Sequence, residues 1–271
     1  MHSLRVLTLN VRGVADPETR RKLFFSLRTW KADICCLQEV HATSPDQVRA
    51  WTNEWMGPAA WNNYTAILFK PSFGTPMFDV LYEGRVLSST FRYRGQQLRI
   101  ANIYMPANYT DRRNFLDDFT ADFDSLFSSF DFLVGDWNMV PDPLLDRVST
   151  ATSNTQTISL WSHLAPCLGS FVNAALAGAA TRFFTYESAT HRCQSRIDHI
   201  FAHCRHALMT MDTTLTPFPY LDHSALAVCF SDVSSFTTPL LYRLNTSLLS
   251  SPALYDLTVS HFRPLRSVPA C

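Results

Sequence analysis

Apolar runs of strand length recur along the first 231 residues, and most of them end on, or just before, a polar residue able to carry chemistry. LRVLTLN (4–10), DICCLQE (33–39), YTAILFK (64–70), RVLSSTFRYR (85–94), QLRIANIYMP (97–106) and DFLVGDWN (131–138) read as strands. Further strands are predicted at 181–187, 195–202, 207–215 and 224–230. Helix signals fall between them. Asp16 can cap a helix that starts at Pro17 and places Leu23, Phe24, Leu27 and Trp30 on one face. Ser44-Pro45 opens a second helix. Phe115, Phe119, Phe123 and Phe127, spaced four apart, predict one helix over 110–129, and another is predicted near 156–165. Helices interleaved with several consecutive strands predict an α/β fold with mixed sheets covered by helices.

The 271 residues are 46% hydrophobic, 13% aromatic and 17% charged, which excludes wholesale disorder and allows a sizeable core. No apolar run approaches the roughly 20 residues of a membrane span, and residues 1–15 lack the apolar stretch of a secretory signal. A soluble, intracellular protein with no membrane partner is expected. Lys and Arg number 23 against 23 Asp and Glu, a balance that argues against non-specific coating of nucleic acid but leaves a local basic face open. Arg makes up most of the basic residues, which suits bidentate phosphate contacts, although genome composition produces the same skew. The seven cysteines form no CxxC pair and read as reduced thiols. Beyond Ser231 the composition shifts to Ser, Thr, Leu and Pro, so a domain over 1–232 and a tail or connector over 233–271 are expected.

The polar residues are informative by position. Asn10, Glu39, Tyr104, Asp136, Asn138, Asp198, Asp222 and His223 each lie at, in or just past an apolar run. In open α/β sheets ligands bind beyond strand ends, so these positions can converge on one cleft. Each has an ordinary structural reading alone: Asn10 capping a turn, Glu39 pairing with an Arg, GDWN forming a tight turn. Together they supply what metal-assisted phosphoester hydrolysis needs. Mg²⁺ takes oxygen ligands and neutralises charge on phosphoryl oxygens, while a carboxylate orients or deprotonates the attacking water. Asp222 and His223 are neighbours in sequence and need not touch, so Asp198 is the expected carboxylate partner of His223.

Other groupings carry less. Cys193, His199, His203 and Cys204 offer zinc donors but at no finger-like spacing. Trp51, Trp55 and Trp61 offer rings for base stacking, but Trp51 and Trp55, four apart in a predicted helix, suit core packing better. Arg92, Arg94, Arg112 and Arg113 form either a phosphate-facing rim or a solvated surface.

LTLNVRG (7–13), CLQE (36–39), NIYMP (102–106), GDWN (135–138), SRIDHIF (195–201) and LDHSALAV (221–228) resemble, in order, the motifs of the exonuclease–endonuclease–phosphatase superfamily. Six ordered motifs over residues 4–230 are far more specific than GDxN or DH alone. The resemblance implies a four-layer α/β sandwich, two mixed β-sheets packed face to face with helices outside. Within the superfamily, FTYESATHRCQSRIDHIF (184–201) and YRLNTSLLSSPALYDL (242–257) are similar to the apurinic-endonuclease-like endonuclease domain of non-LTR (LINE-type) retrotransposons and the connector after it.

The resemblance also implies a role for each site residue. By it, Glu39 holds Mg²⁺ (Mn²⁺ a possible substitute), with Asn10 in support and Asp222 near the metal. Asp136 orients or activates the water, Asn138 helps position it, and Tyr104 contacts the phosphate. His223 stabilises the phosphoryl group or acts as base, with Asp198 orienting it. Thr185 matches a substrate-contacting Thr, and Arg196 is taken as substrate-binding with it. The implied reaction is hydrolysis of a DNA phosphodiester to leave a 3′-hydroxyl, a nick that primes reverse transcription in the nucleus. No reverse transcriptase follows, so the chain looks like an N-terminal piece of a longer polyprotein carrying one.

Three positions depart from the pattern. Leu221 stands where Ser is usual before DH, Trp137 where Phe or Leu is commoner, and WNNYTAILF (61–69) lacks a preceding Gly. An abasic-site repair endonuclease, an inositol-phosphate phosphatase or a sphingomyelinase are alternatives within the fold, and a catalytically dead DNA-binding module is the alternative outside enzymes.

Overall fold

The computed structural model describes residues 3–149, 155–177, 179, 182–188, 190, 192–207 and 210–231, so the tail expected at 233–271 lies outside the described residues. In chain order the first half runs β1 (Ser3–Asn10), α1 (Pro17–Thr29), β2 (Ile34–Gln38), α2 (Pro45–Trp55), β3 (Ala59–Trp61), β4 (Thr65–Phe69), β5 (Met77–Leu81), β6 (Val86–Tyr93), β7 (Gln96–Tyr104) and α3 (Tyr109–Ala121). It continues with β8 (Phe132–Asp136), α4 (Pro143–Asp146), β9 (Arg147–Ser149), α5 (Thr155–Leu164), β10 (Phe171–Asn173), α6 (Ala174–Ala177), β11 (Tyr186–Ser188) and β12 (Cys193–Ser195). It closes with β13 (Asp198–His203), α7 (Cys204–Ala207), β14 (Thr210–Pro217) and β15 (Ser224–Ser231).

Two six-stranded mixed sheets form, in the orders β14-β15-β1-β2-β4-β3 and β10-β13-β8-β7-β6-β5. The parallel pairs are β1/β2 and β7/β8. Alternation sorts each strand's side chains to two faces. Val6, Ile34, Ile67, Ile100, Val134 and Ile200 fill one core, with members from both sheets. Leu7, Leu9, Cys35 and Leu68 turn the other way onto Leu23, Phe24, Leu27, Trp51 and Trp55 of α1 and α2. Ala101, Ile103 and Leu133 turn onto Leu116, Phe119, Leu160 and Leu164 of α3 and α5. This is the expected four-layer sandwich, and burial on both faces explains the near-continuous apolar strands.

Local chemistry sets the helix starts. Asp16 accepts the Thr19 N–H ahead of Pro17, and Ser44 and Gln47 form a reciprocal capping box ahead of α2. The single helix expected over 110–129 is instead α3 followed by a π turn over Phe123–Phe127, closed by the Ser128 N–H on the Phe123 carbonyl at 3.1 Å. Residues four apart drift by about 40° per step around an α-helix, and the wider i→i+5 turn brings Phe123 and Phe127 back to the core. The short strands β3, β5, β9, β10 and β12 have no counterpart among the sequence expectations.

Candidate active site

Most of the candidate side chains gather at one end of the two sheets because the strands bring them there in register. β7, β8 and β13 are adjacent, with Tyr104 opposite Asp136 and Asp136 opposite Asp198. In the other sheet Asn10 ends β1 opposite Gln38, so Glu39 emerges beside it. His223 directly precedes β15 and is bridged to Tyr186 of β11. A buried polar lock ties the sheets just beneath: Gln38 Nε2 donates to Asn102 Oδ1 at 2.7 Å, and Asn102 Nδ2 donates to the Leu37 and Ala66 carbonyls at 2.8 Å.

Asn10 links the two carboxylates. Its Nδ2 donates to Glu39 Oε1 at 2.8 Å and to Asp136 Oδ2 at 3.0 Å, while its oxygen accepts the Arg12 backbone N–H at 3.1 Å. The Tyr104 hydroxyl donates to the same Glu39 oxygen at 2.9 Å. Asp136 Oδ1 accepts the Asn138 N–H at 2.9 Å, and the Asn138 side chain donates to the Met105 carbonyl at 2.8 Å. His223 Nδ1 and Asp198 Oδ2 lie 2.9 Å apart, both buried. Several backbones here are strained: Arg12, Glu39 and Asn138 have φ of 48°, 55° and 47°. Strain of this kind concentrates at functional sites.

Burial penalises the Asp136 charge, the Asp198 carboxylate repels it further, and its pKa is pushed up to about 7 although His223 and two hydrogen bonds pull it down. Burial alone would lower the His223 pKa, but the charge and hydrogen bond of Asp198, with Asp136 and Asp222 behind them, lift it to about 9. Burial and then the Glu39 charge hold the Tyr104 phenol well above its ordinary range. At neutral pH the arrangement presents a poised carboxylate beside an imidazolium.

Asp136, Asp198 and His223 form the one group of three His, Cys, Asp or Glu residues among the described residues whose donor atoms, all within 4.8 Å of one another, could hold an ion. The zinc donors at Cys193, His199, His203 and Cys204 do not form such a group. Asp198 Oδ1 and Asp222 Oδ1 are buried acceptors with no hydrogen-bond partner. The orphaned Asp198 oxygen within that group, and the Glu39 carboxylate that Asn10 ties to Asp136, fit a hard divalent cation. The Asp198–His223 hydrogen bond already occupies Nδ1, so the oxygens are the better donors.

Not every expected site residue is brought in. Asp222 lies at the edge, its Oδ2 paired with Arg12 at 3.0 Å. Arg196, expected to bind substrate, is 5% exposed, with its guanidinium paired to Asp146 and stacked on the Phe183 ring at 5.1 Å. Thr185 is likewise buried, its hydroxyl accepting the Ile197 and Asp198 N–H groups at 3.2 and 3.1 Å beneath the site. Three neighbours of the site are absent from the sequence expectations: Arg12, Tyr186 (its ring 5.0 Å from that of His223) and Arg85, which stacks on Tyr64 and Tyr104 at 4.3 and 5.3 Å. Arg12 lies inside a quoted motif, but its partner is 210 residues away.

Residues 7–232 match the model of the endonuclease/exonuclease/phosphatase family. The chain belongs to that family. It is 25% identical over 261 residues to a transposon TX1 149 kDa protein of Xenopus laevis, covering 91% of this chain and 20% of that protein, so the chain spans about a fifth of its relative's length. Among solved structures, an AP endonuclease from Archaeoglobus fulgidus superposes with a TM-score of 0.67 at 18% identity, over 84% of this chain and all of that one. The endonuclease domain of TRAS1, a telomere-specific non-LTR retrotransposon, does so with a TM-score of 0.60 at 13% identity, over 84% and 98%. The expected family and the expected four-layer fold are therefore both borne out. No helix among the described residues is long and apolar enough to cross a membrane.

Proposed function

We propose that this family member is a divalent-metal-dependent DNA endonuclease that cuts one phosphodiester to leave a 3′-hydroxyl. In a longer transposon protein such a nick would prime reverse transcription by a partner domain in the nucleus. The observation that carries the reading is the buried Asp198–His223 pair set beside Asp136, with pKa values of about 7 for the carboxyl and about 9 for the imidazole. Likeness to a transposon protein directs the choice of DNA over other phosphoesters.

Residue roles follow from the placement of these groups, and the direction of each pKa shift agrees with them. Asp136, poised near neutrality, takes the proton of the attacking water, and Asn138 fixes that carboxylate through its backbone N–H. His223, held charged by Asp198, offers its remaining N–H to a phosphoryl oxygen as negative charge builds there. The water oxygen bonds to phosphorus while the bond from phosphorus to the 3′ oxygen breaks; the 3′ oxygen leaves with the bonding pair and takes a proton from solvent, giving a 5′-phosphate and a 3′-hydroxyl. Glu39, supported by Asn10 and Tyr104, with Asp222 at the edge, would hold Mg²⁺ or Mn²⁺. That ion would neutralise charge on the phosphoryl oxygens.

The chemistry of the ends tests this reading. A nick made in Mg²⁺ should be extended by a DNA polymerase without prior treatment, because a 3′-hydroxyl is present. Ends that need a phosphatase first would refute the stated bond cleavage. Cleavage confined to abasic sites would transfer the assignment to a repair endonuclease.

A further inference from the structure

Phe218-Pro219-Tyr220-Leu221 forms a tight turn closed by the Leu221 N–H on the Phe218 carbonyl at 3.2 Å, two residues ahead of His223. Tyr220 stands at its third position with φ of 71°. After a Pro at the second position, that conformation belongs to a type II turn, which calls for Gly or Asn there. A Tyr is strained in it, and the ring recovers nothing from the fold: it is 99% exposed, while Phe218 and Leu221 on either side pack into the core beside α1. Strain with no packing gained in return points to a role for the ring outside the core.

Tyr220 overhangs a groove of about 1010 Å³ that runs from Arg12, at the edge of the active site, along α1 to Phe25. Its charges are matched internally. Arg12 pairs with Asp222 at 3.0 Å, Lys22 pairs with Glu18 at 2.7 Å, and Asp16 caps α1. A phosphate finds no surplus of cations there. What the groove offers is flat apolar surface, from Tyr220 and the 70% exposed Phe25.

We infer that this groove is a nucleobase subsite, in which Tyr220 stacks on a base flanking the phosphodiester held at His223. The inference rests on the endonuclease reading and deepens it. A planar ligand with a π face suits an exposed aromatic wall with paired charges, and every base has such a face. The Arg12–Asp222 pair is the wall shared by groove and active site, so a strand whose phosphate reaches His223 brings its neighbouring base to Tyr220.

Tyr220→Asn tests the stacking and removes the strain together. A short DNA duplex carrying 2-aminopurine at each position around the nick in turn is bound in EDTA, where it is not cut, and its fluorescence is read. Wild type should quench the probe at one flanking position, Tyr220→Asn should not, and Tyr220→Phe should. In Mg²⁺ the KM of Tyr220→Asn should rise roughly fivefold to a hundredfold with little change in kcat. Its Tm should rise by about 2–4 °C, which a residue needed for the fold would not permit. An unchanged aminopurine signal and KM overturn the inference while leaving the endonuclease reading intact. If Tyr220→Asn alters only self-association, the ring belongs to a contact between copies and the inference is again overturned. Absence of nicking by wild type contradicts the endonuclease reading itself, and the EDTA arm still judges the subsite.

Discussion

Asp136→Asn is expected to stabilise the metal-free protein while abolishing its chemistry. Folding lifts the Asp136 pKa from 3.8 to about 7, so keeping this carboxylate ionised in the folded protein at pH 8 costs on the order of 4 kcal/mol. Asparagine removes that cost but gives one N–H₂ to a site where Asn10 Nδ2 and the Asn138 N–H both donate. The shift already contains both hydrogen bonds to the charge, so what remains is the poorer fit of one amide to two donors, about 1–3 kcal/mol. The balance is a gain of roughly 1–3 kcal/mol, or a Tm higher by about 2–10 °C at pH 8. The sign with pH follows from the direction of the shift. A carboxyl whose folded pKa is raised makes the folded state bind more protons, so stability is lost as pH rises from about 4 through about 7. Thermal melts in EDTA at pH 4, 6 and 8 should therefore show a steep fall for wild type and a shallower one for the variant, with no advantage for the variant at pH 4. His223 acts in both proteins: its contribution is present below about 6.5 and lost as pH rises through about 9. A variant no more stable than wild type at pH 8, or a pH slope that the substitution leaves unchanged, would mean that the buried Asp136 charge carries no such cost.

Two further substitutions probe the frame around the site. Gly135 has φ of 145°, and a Cβ there would lie 1.9 Å from the Ile103 carbonyl oxygen, so Gly135→Ala must push β8 away from β7 and carry Asp136 with it. Cleavage should fall about 100-fold and stability by a few kcal/mol, and a variant with the Tm and nicking rate of wild type would contradict the placement. Arg196→Met leaves Asp146 buried and unpaired and should cost about 3–5 kcal/mol in a denaturant melt, largely recovered by adding Asp146→Leu. A KM for DNA raised tenfold in the recovered double variant would show Arg196 to be a substrate contact as well as a partner of Asp146.

Elements with their own local signal were legible in the sequence. Asp16-Pro17 and Ser44-Pro45 mark the starts of α1 and α2 because capping involves residues within one turn. The strands ending at Asn10 and Asp136 read clearly because both of their faces are buried and apolar. β5 pairs the next strand, β6, but is mostly exposed, and the three-residue strands β9 and β10 exist through pairing with distant partners, so none of them leaves a periodic trace. The same division holds at the site. Asp198 was the expected partner of His223, and the two are hydrogen-bonded. The Arg12–Asp222 pair and the Arg85 stack on Tyr104 join residues from separate stretches of the chain, and nothing local announces them. Arg196 lies within a motif, two residues from Asp198, but its side chain is drawn to Asp146, fifty residues away in the chain, a pairing that no local signal announces.

Nicking of supercoiled plasmid by the purified protein, in Mg²⁺ and in EDTA, beside Asp136→Ala, decides whether this site cuts DNA as proposed. Open circles are expected in Mg²⁺, with none in EDTA and none from the variant. Circles formed equally in EDTA, or by a folded Asp136→Ala protein, would contradict a metal-dependent endonuclease built around Asp136.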